Sequence, residues 1–182
     1  MSGRPKQLEI IPVEGSVTTL FISDHSIDPE LFVGYESGAI GMFKMQIDKN
    51  KNGEMQIHTI KLFSAQKLIQ DLKVKHVLSF SVTHFSEESE DFKLAIGYYS
   101  NLMQTIDFTS GYKNNSYTMV DQHITEQTYH EKPGIGCLAS LTFGKKAILA
   151  SGGFDHRIKV VSLKTLKPLM LLQFHQGIVN QI

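Results

Sequence analysis

One stretch of this chain occurs three times, and no gap is needed to superimpose the copies. Leu31-Phe-Val-Gly-Tyr-Glu-Ser-Gly-Ala-Ile-Gly-Met-Phe43 aligns with Leu94-Ala-Ile-Gly-Tyr-Tyr-Ser-Asn-Leu-Met-Gln-Thr-Ile106, and both align with Leu149-Ala-Ser-Gly-Gly-Phe-Asp-His-Arg-Ile-Lys-Val-Val161. Gly34, Gly97 and Gly152 coincide, and Ser37, Ser100 and Asp155 follow them three residues later. Such a repeat constrains the architecture before local detail does, because each copy is a unit that buries its apolar face only against its neighbours. Apolar residues on both sides of a small or polar turn describe a strand, a tight turn and a second strand whose alternate side chains face inward.

The flanking sequence extends each copy into four strands. The first group comprises Ser16–Ile22, Leu31–Tyr35, Ala39–Ile47 and Met55–Phe63, with a further strand before it over Leu8–Val13. The second comprises Val77–His84, Phe92–Tyr99, Leu102–Phe108 and Tyr117–His123, and the third Ile135–Phe143, Ala147–Ser151, Ile158–Leu163 and Leu169–Phe174. Ile178–Ile182 begins another strand. β-Branched and aromatic residues fill these segments, and Gly, Ser, Asn, Asp and Lys separate them, which is the punctuation of an all-β protein. The polar runs Asp48–Glu54 and Ser110–Ser116 fall at the same place in two groups and predict exposed hairpin loops. The acidic run Ser86–Asp91 reads as a solvated loop. Leu68, Ile69 and Leu72, with Ser64 as N-cap, predict a linker or short helix over residues 64–75. The chain then divides into four-stranded units at 1–63, 76–130 and 131–175, with residues 176–182 as the first strand of an incomplete unit.

With 41% hydrophobic and 20% charged residues among 182, the chain can bury a core. Its 18 basic and 18 acidic residues cancel, so no overall charge draws it to nucleic acid or to a membrane surface. The single Cys137 rules out an intramolecular disulfide, and the first thirty residues lack a basic segment followed by an apolar run and a cleavage site, so an intracellular protein is expected. No run approaches the roughly 20 apolar residues of a membrane-spanning helix.

Chemistry is sought in the polar residues. The eight histidines show neither H-x-H nor H-x3-H spacing and none pairs with Cys137, so no metal site is expected. Gly34, Gly38 and Gly41 precede strand-forming residues and leave no helix N-terminus to hold a phosphate. Gly144-Lys145-Lys146 lacks both the earlier glycine of a P-loop, where Ala139 stands, and its hydroxyl. No G-x-S-x-G elbow occurs, and Cys137, inside an apolar strand, reads as a buried structural thiol. No catalytic residue and no cofactor is expected. Phe80, Phe85, Phe92, Phe143 and Phe174 sit at alternating strand positions and read as core. Tyr98 and Tyr99, at the turn end of a second strand, and His156, in the third turn, read as partner contacts.

The third copy resembles a WD40 repeat. It carries Leu149-Ala-Ser-Gly-Gly-Phe-Asp155, then Arg157-Ile-Lys-Val-Val-Ser-Leu163, then Phe174-His175-Gln-Gly-Ile-Val179, in which a His four residues before a Val opens the next repeat. The resemblance implies a structural blade network of Asp155, Ser151 and His130, with His175 as the corresponding His of the following blade. The family's Trp position holds Val161, and the Trp-Asp pair is replaced by Phe43-Lys44, Ile106-Asp107 and Val161-Ser162. The fold implied is an all-β, partial β-propeller of about three WD40-like blades plus the first strand of another; a propeller closes with at least four.

Within WD40 proteins, Gly153-Phe-Asp-His-Arg-Ile158, Thr165-Leu-Lys-Pro-Leu169 and Phe174-His175 resemble the G-protein-β-subunit-like group and its fungal relative, the ASTRA-associated WD-repeat protein. That resemblance implies a non-catalytic scaffold subunit of the ASTRA assembly, acting in chromatin regulation and in the assembly of phosphatidylinositol-3-kinase-related kinases. The implied partners are Tel- and Tti-type helical repeat proteins, RuvB-like ATPases and a kinase-related protein, and the implied place is the nucleus, with the cytoplasm as a second location. A propeller adaptor of another complex, such as a ubiquitin-ligase substrate receptor, shares every feature of the frame.

Overall fold

A computed structural model describes residues 15–23, 29–49, 55–66, 76–85, 91–111, 116–124, 130–144 and 146–182. The strands are β1 (Val17–Ser23), β2 (Glu30–Tyr35), β3 (Ile40–Lys49), β4 (Met55–Gln66), β5 (Val77–His84), β6 (Phe92–Tyr98), β7 (Met103–Gly111), β8 (Ser116–Ile124), β9 (Ile135–Phe143), β10 (Lys146–Gly153), β11 (Ile158–Ser162) and β12 (Pro168–Leu172). They form three four-stranded antiparallel meanders, β1-β2-β3-β4, β5-β6-β7-β8 and β9-β10-β11-β12. No helix occurs among the described residues. The first strands β1, β5 and β9 lie beside one another, so the sheets stack face to face in chain order as propeller blades do.

The expected strands form with ends shifted by a few residues, and two expectations change. The backbone of residues 64–66 continues β4, with Gln66 opposite Ile40, so Ser64 does not cap a helix; residues 67–75 lie outside the described residues, as do the strand over Leu8–Val13, the tips of the two polar loops and residues 86–90. Ile178–Ile182 does not enter a strand ladder, because a ladder requires a partner strand and none of the described residues supplies one.

The three copies fold their turns alike. The N–H groups of Gly38, Asn101 and His156 donate to Tyr35, Tyr98 and Gly153 carbonyls at 3.0, 3.2 and 3.3 Å. Those three donors are the same position of the repeat, and each takes a left-handed conformation, with φ of 85°, 66° and 64°. This is the turn that reverses a hairpin when the residue before the second strand adopts positive φ.

The middle sheet is covered on both sides. Every residue of β6 is buried, whereas a sheet with one wet face would alternate. Phe92, Leu94, Ile96 and Tyr98 point toward the first sheet and join Phe32, Ile40, Met42, Phe80 and Phe108; Ala95 points the other way and joins Met103, Ile135, Leu149, Val161 and Leu163. Lys93, buried in the same strand, forms an ion pair with Asp107 across the ladder. Phe80 and Phe92 are core, but Phe85, Phe143 and Phe174 are exposed at 55%, 60% and 89%. Phe143 ends β9 on the third sheet, and Phe85 and Phe174 lie past the ends of β5 and β12.

The sheets meet through one repeated joint. Gly34 of β2, Gly97 of β6 and Gly152 of β10 each face the leading residue of the next unit, Val77, Ile135 and Val179. A Cβ on Gly34 would lie 2.7 Å from that of Val77, one on Gly97 2.8 Å from Ile135 Cγ2, and one on Gly152 2.9 Å from Val179 Cβ. A short side chain of the first strand then donates to the same residue's carbonyl: Thr18 Oγ1 to Val77 at 2.5 Å, Ser79 Oγ to Ile135 at 2.8 Å and Cys137 Sγ to Val179 at 3.3 Å. Gly97→Ala should therefore destabilise the protein by about 1 to 3 kcal/mol through overpacking. Gly177→Ala, where a Cβ meets nothing within 4 Å, should cost under about 0.5 kcal/mol. Paired denaturant titrations read both, and equal midpoints would contradict the joint.

Candidate functional site

The third sheet holds a buried polar cluster at its turn end. His130 precedes β9 and is fully buried; Ser151 lies in β10 and Asp155 in the β10–β11 turn. His130 Nδ1 and Asp155 Oδ1 are 2.7 Å apart, and His130 Nε2 and Ser151 Oγ 3.0 Å. The carboxylate also accepts from the Glu131 N–H at 3.0 Å and the Arg157 N–H at 3.2 Å. An ionised carboxylate only accepts, so Nδ1 carries the proton toward Asp155 and Nε2 accepts from the Ser151 hydroxyl. Outside the cluster Arg157 and Glu131 form an ion pair. The His130 N–H donates to Asn101 Oδ1 at 2.9 Å, which ties the cluster to the turn of the second sheet.

Local sequence makes room for the ring. A Cβ on Gly153 would strike His130, and the aligned residues of the first two copies, Tyr35 and Tyr98, are buried aromatics. Burial lowers the pKa of His130, since desolvation penalises the charged imidazolium and outweighs the support of Asp155. For Asp155, burial alone would raise the pKa, but the Glu131 N–H, the His130 ring and the Arg157 N–H together hold it below the usual carboxylate value.

Serine, histidine and aspartate in a row invite comparison with a nucleophilic triad. Ser151 and His130 are 0% exposed and the Asp155 side chain 2%, so no substrate atom reaches the hydroxyl in this arrangement. The arrangement can satisfy buried polar groups and fix a turn.

The remaining residues named from the sequence lie elsewhere. His175 is exposed beyond β12 and does not join the cluster, because the ring that Asp155 and Ser151 hold is His130. Tyr98 is fully buried, with its hydroxyl donating to Gln104 Oε1 at 2.8 Å and its pKa raised by desolvation, so it cannot touch a partner. Tyr99, one residue on, is 50% exposed. His156 is half-buried as the left-handed residue of its turn. Cys137 is buried, which raises its thiol pKa. Sequence reasoning missed Asn101 and Gly153; the alignment does place Asn101 at the left-handed turn position. Val161, at the family's Trp position, is buried in the core between the second and third sheets. Among the described residues no group of three or more His, Cys, Asp or Glu could hold a metal ion.

No protein-family description matches the chain, and no curated protein does. Among solved structures the chain is similar to the structure of U3-55K, with a TM-score of 0.53, and to the crystal structure of RRP9 WD40 repeats, with a TM-score of 0.52. Each likeness is at 16% identity and covers 92% of this chain and 42% of the other, so the chain spans less than half the length of the structures it matches. This likeness shows the fold, an all-β arrangement of WD40-type blades.

Asp155→Ala should cost about 1.5 to 3 kcal/mol, the scale of hydrogen bonds to a charged group; a loss under about 0.5 kcal/mol in denaturant titration would exclude a structural role for the cluster. The lowered pKa of His130 makes the unfolded state bind more protons below its ordinary value of 6.5, so stability should fall as the pH drops from there. Asp155, also lowered, adds a second loss below 3.8. Comparing the pH-stability profile with that of His130→Gln checks the first step, which should disappear in the variant.

Proposed function

We propose that the chain is a non-catalytic WD40-type scaffold that binds protein partners on the turn end of its sheets. The observation that carries this reading is a row of side chains along that end. Glu36, Tyr99 and Phe154 occupy one position of the repeat, two residues after Gly34, Gly97 and Gly152. His76 and Tyr99 rings lie 5.8 Å apart, and Tyr99 meets Phe154 edge to face at 6.4 Å. Their backbones are tied as well: the His76 N–H donates to Glu36 O and the Tyr99 N–H to His76 O, both at 2.9 Å. A half-exposed aromatic on a rigid frame loses little conformational entropy on binding, which is why such residues anchor interfaces. Asp155 and its cluster act here as a structural brace for the third turn.

The finer reading is a subunit of the ASTRA assembly in the nucleus, supported by the resemblance of residues 153–158, 165–169 and 174–175. Its partners would be Tel- and Tti-type helical repeat proteins, RuvB-like ATPases and a kinase-related protein. Affinity capture of the tagged chain from its own cells should recover RuvB-like ATPases and Tel/Tti-type proteins; recovery of ubiquitin-ligase subunits in their place would refute the assignment. Tyr99→Ala should reduce recovery of the bound partners by about tenfold, the scale of a central aromatic contact, without lowering the melting temperature. Unchanged recovery would remove Tyr99 from the interface.

A further inference from the structure

We propose that a cleft between the second and third sheets, at the end away from the β6–β7 and β10–β11 turns, is a binding surface for an acidic peptide segment of a protein partner. The cleft arises because the outer hairpin of the third sheet is short. β7 runs on to Gly111, whereas β11 stops at Ser162, the residue that aligns with Asp107. The longer hairpin of the second sheet carries Tyr117, paired with Ser110. Its ring meets Phe92 edge to face at 5.1 Å, and its hydroxyl donates to the buried Glu30 of the first sheet at 2.5 Å. β11 ends before that rung, so no residue of β12 takes the place of Tyr117. A space of about 560 Å³ stays open between the second and third sheets, within the range of ligand-binding clefts.

The walls of the cleft are charged where the rest of the interface is apolar. Nearer the turns the same two faces pack Ala95 and Met103 against Leu149 and Val161. At the cleft the second sheet presents Lys93, Asp107 and Asp121 along one rung of its ladder. Lys93 pairs with Asp107, and His123 Nε2 lies 3.2 Å from Asp121 Oδ2. Asp107 and Asp121 stand directly opposite each other, an arrangement that disfavours the sheet and that a face shaped for packing alone does not need. From the third sheet Lys146 and Lys164, both exposed, enter on two different hairpins, and neither forms an ion pair among the described residues. The buried position that is Glu30 in the first copy, where it accepts from Tyr117, is Lys93 in the second, so the complement of this cleft is acidic. Phe85, 55% exposed, adds an apolar contact at its edge. A compact polyanion offers only acceptors and would set its charge against Asp107 and Asp121. An extended acidic peptide offers carboxylates to Lys146 and Lys164 and N–H donors to the two aspartates.

The test is fluorescence anisotropy of the full chain with a dye-labelled peptide of glutamate and glycine residues flanking one phenylalanine. The peptide should bind, and its glutamine counterpart should bind at least about tenfold more weakly. Lys146→Glu combined with Lys164→Glu should weaken binding of the acidic peptide by at least about tenfold, the scale of two reversed, partly screened charge contacts. Phe85→Ala should weaken it severalfold. Both lysines are exposed, so the melting temperature of the double variant should not change. Lys132→Glu, the same charge change on the exposed segment before β9, should leave the affinity within about twofold. Absence of binding, equal binding of the glutamine peptide, or an equal loss in Lys132→Glu would overturn the proposal. So would displacement of the peptide by millimolar inorganic phosphate at fixed ionic strength, which would assign the cleft to a small anion.

Discussion

Adjacent sheets in this protein approach so closely that one position of each second strand has no room for a side chain, and the rest of the architecture is arranged around that contact. Gly34, Gly97 and Gly152 let a β-branched residue of the following unit, Val77, Ile135 or Val179, sit directly on the strand. The hydroxyl or thiol beside each glycine then donates to the carbonyl of the seated residue. Close approach at this end brings Phe32 against Phe80 and Phe92 further along, at ring separations of 6.1 and 5.9 Å. The joint and the aromatic core are thus two parts of one interface, one polar and one apolar.

The buried polar cluster follows the same logic of space. Gly153 leaves a volume at the turn end of the third sheet that a tyrosine fills in the other two, and the ring of His130 occupies it. An imidazole there has two polar atoms to satisfy, and Asp155 and Ser151 satisfy one each. Val33 and Ile96 stand where Ser151 stands in the repeat, and Ser37 and Ser100 where Asp155 stands, so the first two copies carry no equivalent set. The second sheet meets its own need through Tyr98, whose hydroxyl reaches Gln104, which in turn donates to Gln122 at 3.1 Å. Between these two clusters Asn101 reaches across to accept from the His130 N–H, and Tyr99 at the turn end is left half-exposed.

Much of this was legible without coordinates because strand repeats have a short period and turns have strong local preferences. The alignment of the three copies places Gly38, Asn101 and His156 together, and all three take the same left-handed conformation. Ser151 and Asp155 fall within one local motif, whereas His130, 25 residues from Asp155, was named only through the resemblance to a WD40 repeat. Tyr98 was misread as a contact because alternation assigns a residue to a face but does not say whether that face is covered, and the middle sheet is covered on both. Phe143 was misread for the converse reason, since the outer face of the third sheet lacks a neighbour among the described residues. His175 resembles a ring that belongs in a cluster, but the turn that would bind it is not one of the three described.

By itself, then, the amino-acid sequence determined the strands, their turns and their grouping in fours, because each depends on residues within a few positions of one another. The tertiary structure decided which apolar faces are core, that Asn101 of one sheet holds His130 of the next, and that Cys137 and Gly152 form a socket for Val179. Those contacts join residues far apart in the chain. Their existence depends on how closely two sheets pack, a quantity that no local spacing contains.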